Sequence, residues 1–189
     1  MTRLLWLALA CVFVLTSTAR ATTVIPPTFD AMVSGASTIF VGEVVGIRAA
    51  WIPTPRGRAI KTFVTFKVED TWKGALGALT QLEFLGGEID DMRMVVAEMP
   101  TFSIGQRAVL FVSSEVRTIS PLVGFYYGRL HVERDASGVD HIRANDGRSI
   151  ANLAEVTARR ADPLLALSPM RLTDLGAEVR RRVLAGRAQ

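Results

Sequence analysis

The chain has 189 residues, of which 22 are lysine or arginine and 18 are aspartate or glutamate, giving a formal net charge of +4. Arginines are interspersed with acidic residues until the last segment, which is typical of a solvated surface. No basic stripe of the kind found in nucleic-acid-binding proteins stands out, so composition argues against that class.

The first 21 residues predict a secretory signal peptide. Met1–Arg3 is a short positive start, and 12 apolar residues follow without interruption from Leu4 to Leu15. Small residues occupy Ala19 and Ala21, the positions that a signal peptidase reads, so cleavage is expected after Ala21. A membrane anchor is the alternative, but about 20 apolar residues are needed to span the hydrocarbon. The expected location is secreted or periplasmic.

The single cysteine, Cys11, lies inside the apolar run. A lipoprotein acylated at Cys11 is a second reading, but Ala8-Leu9-Ala10 before it lacks a large aliphatic residue at the outer position. Removal of 21 residues would leave 168, from Thr22 to Gln189, with no cysteine and a net charge of +2. An exported protein without disulfides must be held by its core, and this length suffices for one domain.

The expected mature chain opens with a short helix and then changes period. Thr28 to Ser37 predicts the helix, with Thr28 as its cap and an apolar face of Phe29, Met32, Val33 and Ala36. A β-rich run from Thr38 to Ile47 contains Gly42 and Gly46, where a bent strand could kink. Ala50 to Arg58 predicts a loop, because it contains two prolines and a glycine.

Four further strands are predicted in the middle of the chain. Thr62–Trp72 places Val64, Phe66 and Val68 on one face, Trp72 continues that face, and Lys73-Gly74 turns the chain outward. Three more strands follow, with a loop at Pro100–Gly105 before the last: Leu79–Leu85, Met92–Val96 and Arg107–Val112.

The last third predicts a hairpin and a helix. Leu122–Arg134 and Val139–Ala144 flank the turn residues Asp135–Gly138. From Ser168 the period becomes helical, with Ser168 as cap, Pro169 at the first position and an apolar stripe of Leu172, Leu175, Val179 and Val183. Arg180–Arg182 near its end suit the helix dipole, and packing on the barrel is favoured over a membrane surface.

Successive strands with helices only at the ends predict a mainly β fold, a closed or nearly closed barrel. The expected division is a domain over residues 22–150 and a C-terminal extension over 151–189 that ends in the amphipathic helix.

The order of these elements resembles a known fold. The segments Ala36–Val44, Val68–Gly74, Thr80–Gly87 and Pro100–Val112 resemble secreted bacterial domains with the OB-type barrel of the tissue inhibitors of metalloproteinases and netrin modules. The resemblance covers about Thr28 to Ile150 and implies an OB-like barrel of about five to seven strands.

The resemblance also implies a protein-binding role, with one departure. The metalloproteinase inhibitors insert an amino-terminal cysteine into the protease and chelate its zinc, whereas the expected start here is Thr22. Thr22 can present an amine and a carbonyl, but no disulfide would hold it in place. Protein binding through loops of the barrel is therefore expected, with a protease as one candidate partner.

The two histidines are the best candidates for metal ligands. With a three-residue loop at Ala136–Gly138, His131 would oppose Arg143 and His141 would oppose Glu133, all on one face. A two- or four-residue loop would put the histidines on opposite faces. Because Arg143 intrudes and zinc takes three or four close donors, surface histidines are the preferred interpretation.

Other chemistry finds little support in the sequence. No Gly-x-Ser-x-Gly motif and no phosphate-binding glycine loop occurs. Glu88, Asp90 and Asp91 lack a calcium-loop spacing and are interpreted as a solvated turn. We therefore predict no catalytic residue, metal or cofactor.

The predicted loop at Ala50–Arg58 is the best contact candidate. Trp51, Arg56 and Arg58 are residue types enriched at binding hot spots, and a loop between the first two strands binds ligands in OB barrels. The leading hypothesis is an exported, monomeric, non-enzymatic binding module with a protein partner. A small exported hydrolase and a structural accessory of the cell envelope are the alternatives.

Overall fold

The computed structural model describes residues 26–55, 57–113, 119–158 and 169–187. Within these ranges the chain is mainly β, with two α-helices and two short 3-10 turns, Phe125–Gly128 and Leu153–Val156. The helices are α1 (Phe29–Gly35) and α2 (Leu172–Arg187). The strands are β1 (Ala36–Thr54), β2 (Gly57–Lys73), β3 (Leu79–Leu85), β4 (Gly87–Ile89), β5 (Met92–Met94), β6 (Arg107–Ser113), β7 (Arg129–Arg134) and β8 (Asp140–Arg143).

Six strands form one antiparallel sheet in the order β3-β2-β1-β6-β7-β8, and β4 with β5 forms a separate hairpin. The predicted mainly β fold is confirmed, but the barrel is not closed, because the two outer strands do not pair with each other in the described residues. Other segments occupy their edges. Leu85 donates its N–H to Ile119 on the β3 edge, and Ile142 donates to Met170 on the β8 edge.

The sheet buries apolar side chains on both faces. Face one carries the larger cluster and is covered by α1 and α2; its members include Ile39, Val41, Trp72, Val109, Phe111, Leu130, Ile142, Leu175 and Val179. Face two carries a second cluster of Phe40, Val44, Val64, Phe66, Leu82, Phe84, Ala108, Leu110 and Leu122. Alternating residues of β1 and β6 divide between the two clusters, as the period of a strand requires.

The first helix and the bent strand are confirmed. Thr28 caps α1, and its Oγ1 accepts a hydrogen bond of 3.1 Å from the N–H of Ala31. The helix ends at Gly35, two residues earlier than expected, and β1 begins at once. Register shifts in the β1–β2 ladder lie next to Gly42 and at Gly46, where kinks were predicted.

The predicted loop at Ala50–Arg58 is wrong. The strands continue through it, since Trp51 pairs with Ile60 and Thr54 pairs with Gly57. Pro53 is tolerated because this part of β1 is an edge strand, where a missing N–H need not cost a ladder hydrogen bond.

Trp72 is buried as expected, but on the opposite face from Val64 and Phe66. Val41 pairs with Asp70 and Gly42 with Val68, so Glu69 is an extra residue in the ladder. A bulge of one residue reverses the alternation of side chains that follow it. Trp72 therefore lies under α2.

The strand β2 ends at Lys73, where the sequence predicts that the chain turns, and the Lys73 side chain points toward α1. Its Nζ donates to the carbonyl oxygens of Val33 at 2.7 Å and Ser34 at 3.2 Å. These carbonyls lie at the C-terminal end of α1, where a cation stabilises the helix dipole.

The remaining strands follow the predictions in part. Leu79–Leu85 is confirmed as β3, and Arg107–Val112 is confirmed as the main part of β6. The strand at Met92–Val96 is shorter than predicted because it ends at Met94. Leu122–Gly128 is not a strand, since it contains a 3-10 turn, and β7 begins only at Arg129.

The C-terminal helix begins at Leu172, so the prediction that Pro169 is its first residue is wrong. Met170 instead pairs in extended form, donating to Ile150 and accepting from Ile142. The predicted cap Ser168 lies outside the described residues. Leu175 and Val179 of the predicted stripe are fully buried against face one.

Candidate functional site

The outer half of the β1–β2 hairpin extends beyond the sheet on one side. β6 accompanies β1 only from Ala36 to Glu43, whereas β2 accompanies it to Thr54. Residues 45–54 of β1 and residues 57–65 of β2 are called the hairpin arm below. Within the described residues, the β1 edge of this arm has no strand paired to it.

The arm carries Trp51 and Arg58 together on its surface. Trp51 is 38% exposed, and the Cζ of Arg58 lies 5.2 Å from the centre of its ring. A cation over an exposed indole contributes about 0.5–1 kcal/mol, so the pair is held in place before any partner arrives. Two of the four residues predicted for partner contact are thus adjacent.

The opposite surface of the arm repeats this arrangement with a pair that the sequence analysis missed. Arg48 is paired in register with Phe63, and its Cζ lies 4.4 Å from the centre of that ring. The alternation of side chains along β1 is the sequence signal that could have indicated this pair. The prediction of a loop from Ala50 onward ended the strand too early for the alternation to be followed.

The sequence that contains the arm and its flanking residues is also strongly basic. The chain from Val44 to Val68 contains five basic residues and no acidic residue. The five are Arg48, Arg56, Arg58, Lys61 and Lys67. The formal charge of this segment therefore exceeds the +4 of the whole chain. The view that arginines and acids alternate until the last segment is wrong here.

Only one charge of the arm is neutralised by an ion pair in the described residues. Lys61 Nζ lies 2.9 Å from the Glu83 carboxylate of the neighbouring strand β3. Arg48 and Arg58 instead contact aromatic rings, which leave their charge in place.

A cavity of about 400 Å³ lies beneath the arm on face two. Its walls include Ile47 of β1, Thr62 of β2, Phe84 of β3 and the side chains of Met94, Met99 and Phe102. Most of these groups are apolar, so the cavity suits an apolar side chain. Val45, Ile47, Val95 and Ile104 leave further apolar surface exposed.

Two glycines hold the β4–β5 hairpin against this cavity. Gly86 donates its N–H to Ile60 at 2.7 Å and accepts from the Thr62 hydroxyl at 2.7 Å. A Cβ on Gly87 would lie 2.3 Å from Thr62 Oγ1, and its φ of 136° also favours glycine. The predicted turn at Asp90-Asp91 joins β4 to β5 and is exposed.

A polar cluster occupies the other end of face two. Arg129 is only 4% exposed, and its guanidinium donates to Asn145 Oδ1 at 2.5 Å and to the Thr101 carbonyl oxygen. Its Nη2 lies 2.8 Å from His131 Nε2. Burial lowers the pKa of Arg129 to about 10, so the side chain remains a cation at neutral pH.

His131 is neutral in this arrangement. Because a guanidinium only donates, Nε2 must accept, and the single imidazole proton lies on Nδ1. Gln106 Nε2 lies 2.8 Å from Nδ1, and a 180° rotation of the amide would bring its oxygen there to accept the imidazole proton. Burial, and then the charge of Arg129, lowers the pKa of His131 to about 4.

The predicted register of the second hairpin is confirmed. His131 opposes Arg143 and His141 opposes Glu133, with Gly138 at a φ of 83°. Glu133 forms an ion pair with Arg143, and His141 Nε2 lies 2.9 Å from Asp135. Within the described ranges, no three His, Cys, Asp or Glu side chains converge as metal ligands.

Two of the four predicted contact residues, Thr22 and Arg56, lie outside the described residues, as does the predicted signal peptide. Searches of protein-family models, curated proteins and solved structures found nothing that matches this chain. Neither described helix combines the length and apolarity that crossing a membrane requires.

Proposed function

We propose that this protein is an exported, non-enzymatic binding module that contacts a protein partner through the hairpin arm. The observation that carries the proposal is the Trp51–Arg58 pair, a half-exposed indole under a guanidinium on a two-stranded projection. Tryptophan and arginine are the residues most enriched where binding energy concentrates. A paired strand also presents them with less conformational freedom than a loop, which lowers the entropy lost on binding.

The apolar surface beside this pair supports the same proposal. Ile47 of the arm and Val95, which follows β5, are both exposed and both line the 400 Å³ cavity. Exposed apolar groups that lie together and are rimmed by charges mark interaction surfaces more often than they mark ordinary surface.

The OB-like character of the sheet and a protease as partner belong to the proposal. The resemblance to tissue inhibitors of metalloproteinases and netrin modules is the support for both. If a protease is the partner, removal of Thr22-Thr23 from the mature chain tests inhibition through the amino terminus. Unchanged inhibition by the truncated chain would assign the contact to the arm alone.

The experiment is affinity capture from the producing organism's envelope and culture fractions, with the tag at the C-terminus. We expect one exported protein to be retained by the wild type and at least about ten-fold less by Trp51→Ala or Arg58→Ala, as loss of a hot-spot residue requires. Thermal unfolding of both variants should stay near that of the wild type, because surface substitutions change stability by about 0.5 kcal/mol.

Leu184→Ala is the matched control, since Leu184 is an exposed apolar residue on α2. Equal retention by all of these variants would contradict the proposal. So would a loss of binding that accompanies an equal loss of folding.

A further inference from the structure

The open β1 edge of the arm presents backbone groups at regular intervals. Two residues of the sequence separate Thr54 from Gly57, the last pair of the hairpin, and such a closing pair directs its N–H and C=O groups toward each other. Successive residues of an antiparallel strand then alternate between inward and outward. The register is continuous from Gly46 to Thr54, so the outward groups belong to Pro53, Trp51, Ala49 and Ile47.

The position of Pro53 agrees with this assignment. A proline at an inward position would interrupt the β1–β2 ladder, whereas at an outward position it removes only an N–H that faces solvent. Among the described residues, the N–H and C=O groups of Trp51, Ala49 and Ile47 therefore have no backbone partner along the edge. Such an edge is a template on which another extended segment can form hydrogen bonds.

A strand added at this edge would lie beside the cavity. Ile47 forms part of the cavity wall and is also a residue of the open edge. An added strand would lie about 4.8 Å from β1, and its side chains would alternate between the two faces of the sheet. Every second side chain would therefore point to the face on which the cavity opens. The backbone would supply affinity and the cavity would select the side chain.

The charge of the arm indicates which segment fits. Five basic residues and no acidic one between Val44 and Val68 attract a negatively charged partner. A second copy of this chain would bring a second positive arm to the same edge, and repulsion disfavours that pairing. A nucleic acid would satisfy the charge but has no backbone that continues a β-ladder.

We propose that an extended, acidic segment of a partner protein adds to the sheet as a strand along Ile47–Trp51 and places an apolar side chain in the cavity. This inference rests on the proposed partner-binding function and adds the mode of binding and the chemistry of the segment. The side chains that alternate with the apolar ones would lie on the same surface as Arg48, so acidic residues there would face a guanidinium that contacts a ring and has no ion pair in the described residues.

The test begins with random nonapeptides displayed on phage and selected on the immobilised protein. We expect selected peptides to be acidic, with apolar residues at alternate positions. A synthetic selected peptide should bind more weakly as sodium chloride is raised, because salt screens charge attraction. Selection of basic peptides, or of none, would overturn the proposal.

Backbone pairing is tested by two independent changes. Two peptides are made, one N-methylated at its odd positions and one at its even positions, which removes the N–H donors of one edge of the added strand in each. Because main-chain hydrogen bonds supply the affinity, one of the two should raise Kd at least about ten-fold. Ala49→Pro in the protein removes one outward N–H and should have a similar effect, whereas Ala49→Ser keeps the N–H and should change Kd less than about three-fold. If Ala49→Pro does not fold, the methylated peptides decide alone.

The captured partner separates this inference from the proposed function. Loss of partner binding in Trp51→Ala together with unchanged binding in Ala49→Pro would retain the function and overturn strand addition. Tighter binding of single-stranded DNA or of anionic lipid vesicles than of the selected peptide would overturn the choice of a protein segment.

Discussion

Arg129 is a buried cation whose hydrogen-bond partners in the described residues are neutral. Asn145, the Thr101 carbonyl and His131 take its N–H groups, and the ring of Phe102 lies 5.0 Å from its Cζ. A buried charge without a counter-ion is costly unless its donors are satisfied. The neutral state of His131 is therefore a condition for this cluster, because a protonated imidazole cannot accept from Arg129.

The expected consequence is acid sensitivity. The pKa of His131 is lowered to about 4 from an ordinary value of 6.5, so its contribution to stability is complete above pH 6.5. That contribution is lost as pH falls from 6.5 toward 4, since the unfolded chain binds the proton first. Thermal unfolding followed by circular dichroism should show a fall in Tm over this window.

His131→Gln is the control, because an amide can accept from Arg129 without titrating. Its Tm should vary less between about pH 7 and pH 4.5 than that of the wild type, since only the imidazole titrates there. Identical pH profiles for both proteins would assign the acid sensitivity to other groups.

At the scale of elements, α2 is seated on the indole of Trp72. Trp72 Nε1 donates to Asp70 at 2.8 Å, and Arg180 of the helix reaches the same carboxylate at 2.6 Å. Gly176 faces the ring so closely that a Cβ would lie 3.0 Å from two of its carbons. The contact between α2 and β2 therefore depends on the large side chain of Trp72 and on the lack of a side chain at Gly176.

Gly176→Ala tests that close approach. We expect a loss of about 1–3 kcal/mol, because the added methyl must displace the helix or the ring. Gly186 lies in the same helix, and a Cβ added there would have no neighbouring atom within 4 Å. Gly186→Ala should therefore be neutral or stabilising by up to about 1 kcal/mol. Urea denaturation measures both, and equal effects would contradict the seating of α2 on Trp72.

Trp72→Ala should cost about 3–5 kcal/mol, since it removes a ring that is 6% exposed and leaves a cavity under α2. Trp72→Phe should lose less, because part of the volume is retained. A loss below about 1 kcal/mol for Trp72→Ala in the same denaturation measurement would show that the ring contributes little to the core.

Helices and strands that depend on neighbouring residues can be predicted from the sequence, whereas features that depend on strand pairing cannot. Period and capping predicted α1, β3 and most of β6, because each depends on neighbouring residues. Ala50–Arg58 was predicted as a loop because two prolines and a glycine usually interrupt strands. Pro53 is tolerated because its position faces away from β2, and only the pairing with β2 shows this. Trp72 was assigned to the wrong face because the extra residue Glu69 is visible only in the ladder.

For the whole molecule, residues distant in sequence share the core of face one. Val156, Leu175 and Val179 belong to the same cluster as Ile39 and Phe111 of the sheet. The boundary expected at residue 150 stays a prediction. Of the candidate site, the sequence predicted Trp51 and Arg58, but the open edge and the cavity depend on where β6 leaves β1.

A chain that ends at residue 150 should therefore lack a cooperative unfolding transition, because it loses the α2 side chains that cover Trp72. Calorimetry and binding of a hydrophobic dye measure this directly. A chain that ends at residue 187 is the control and should unfold as the full chain does. A cooperative transition of the shorter chain near the wild-type Tm would show that residues 22–150 fold alone.

The β1 register shift at Gly46 and the proline at Pro53 limit the length of the edge along which a partner strand can pair. The regular run between them is Ile47 to Ile52, which at about 3.4 Å per residue is roughly 20 Å long. A partner segment can be longer than this, but only about six of its residues can continue the ladder. The partner would then be recognised by a short linear segment, and this segment should still bind when it is fused to a different protein.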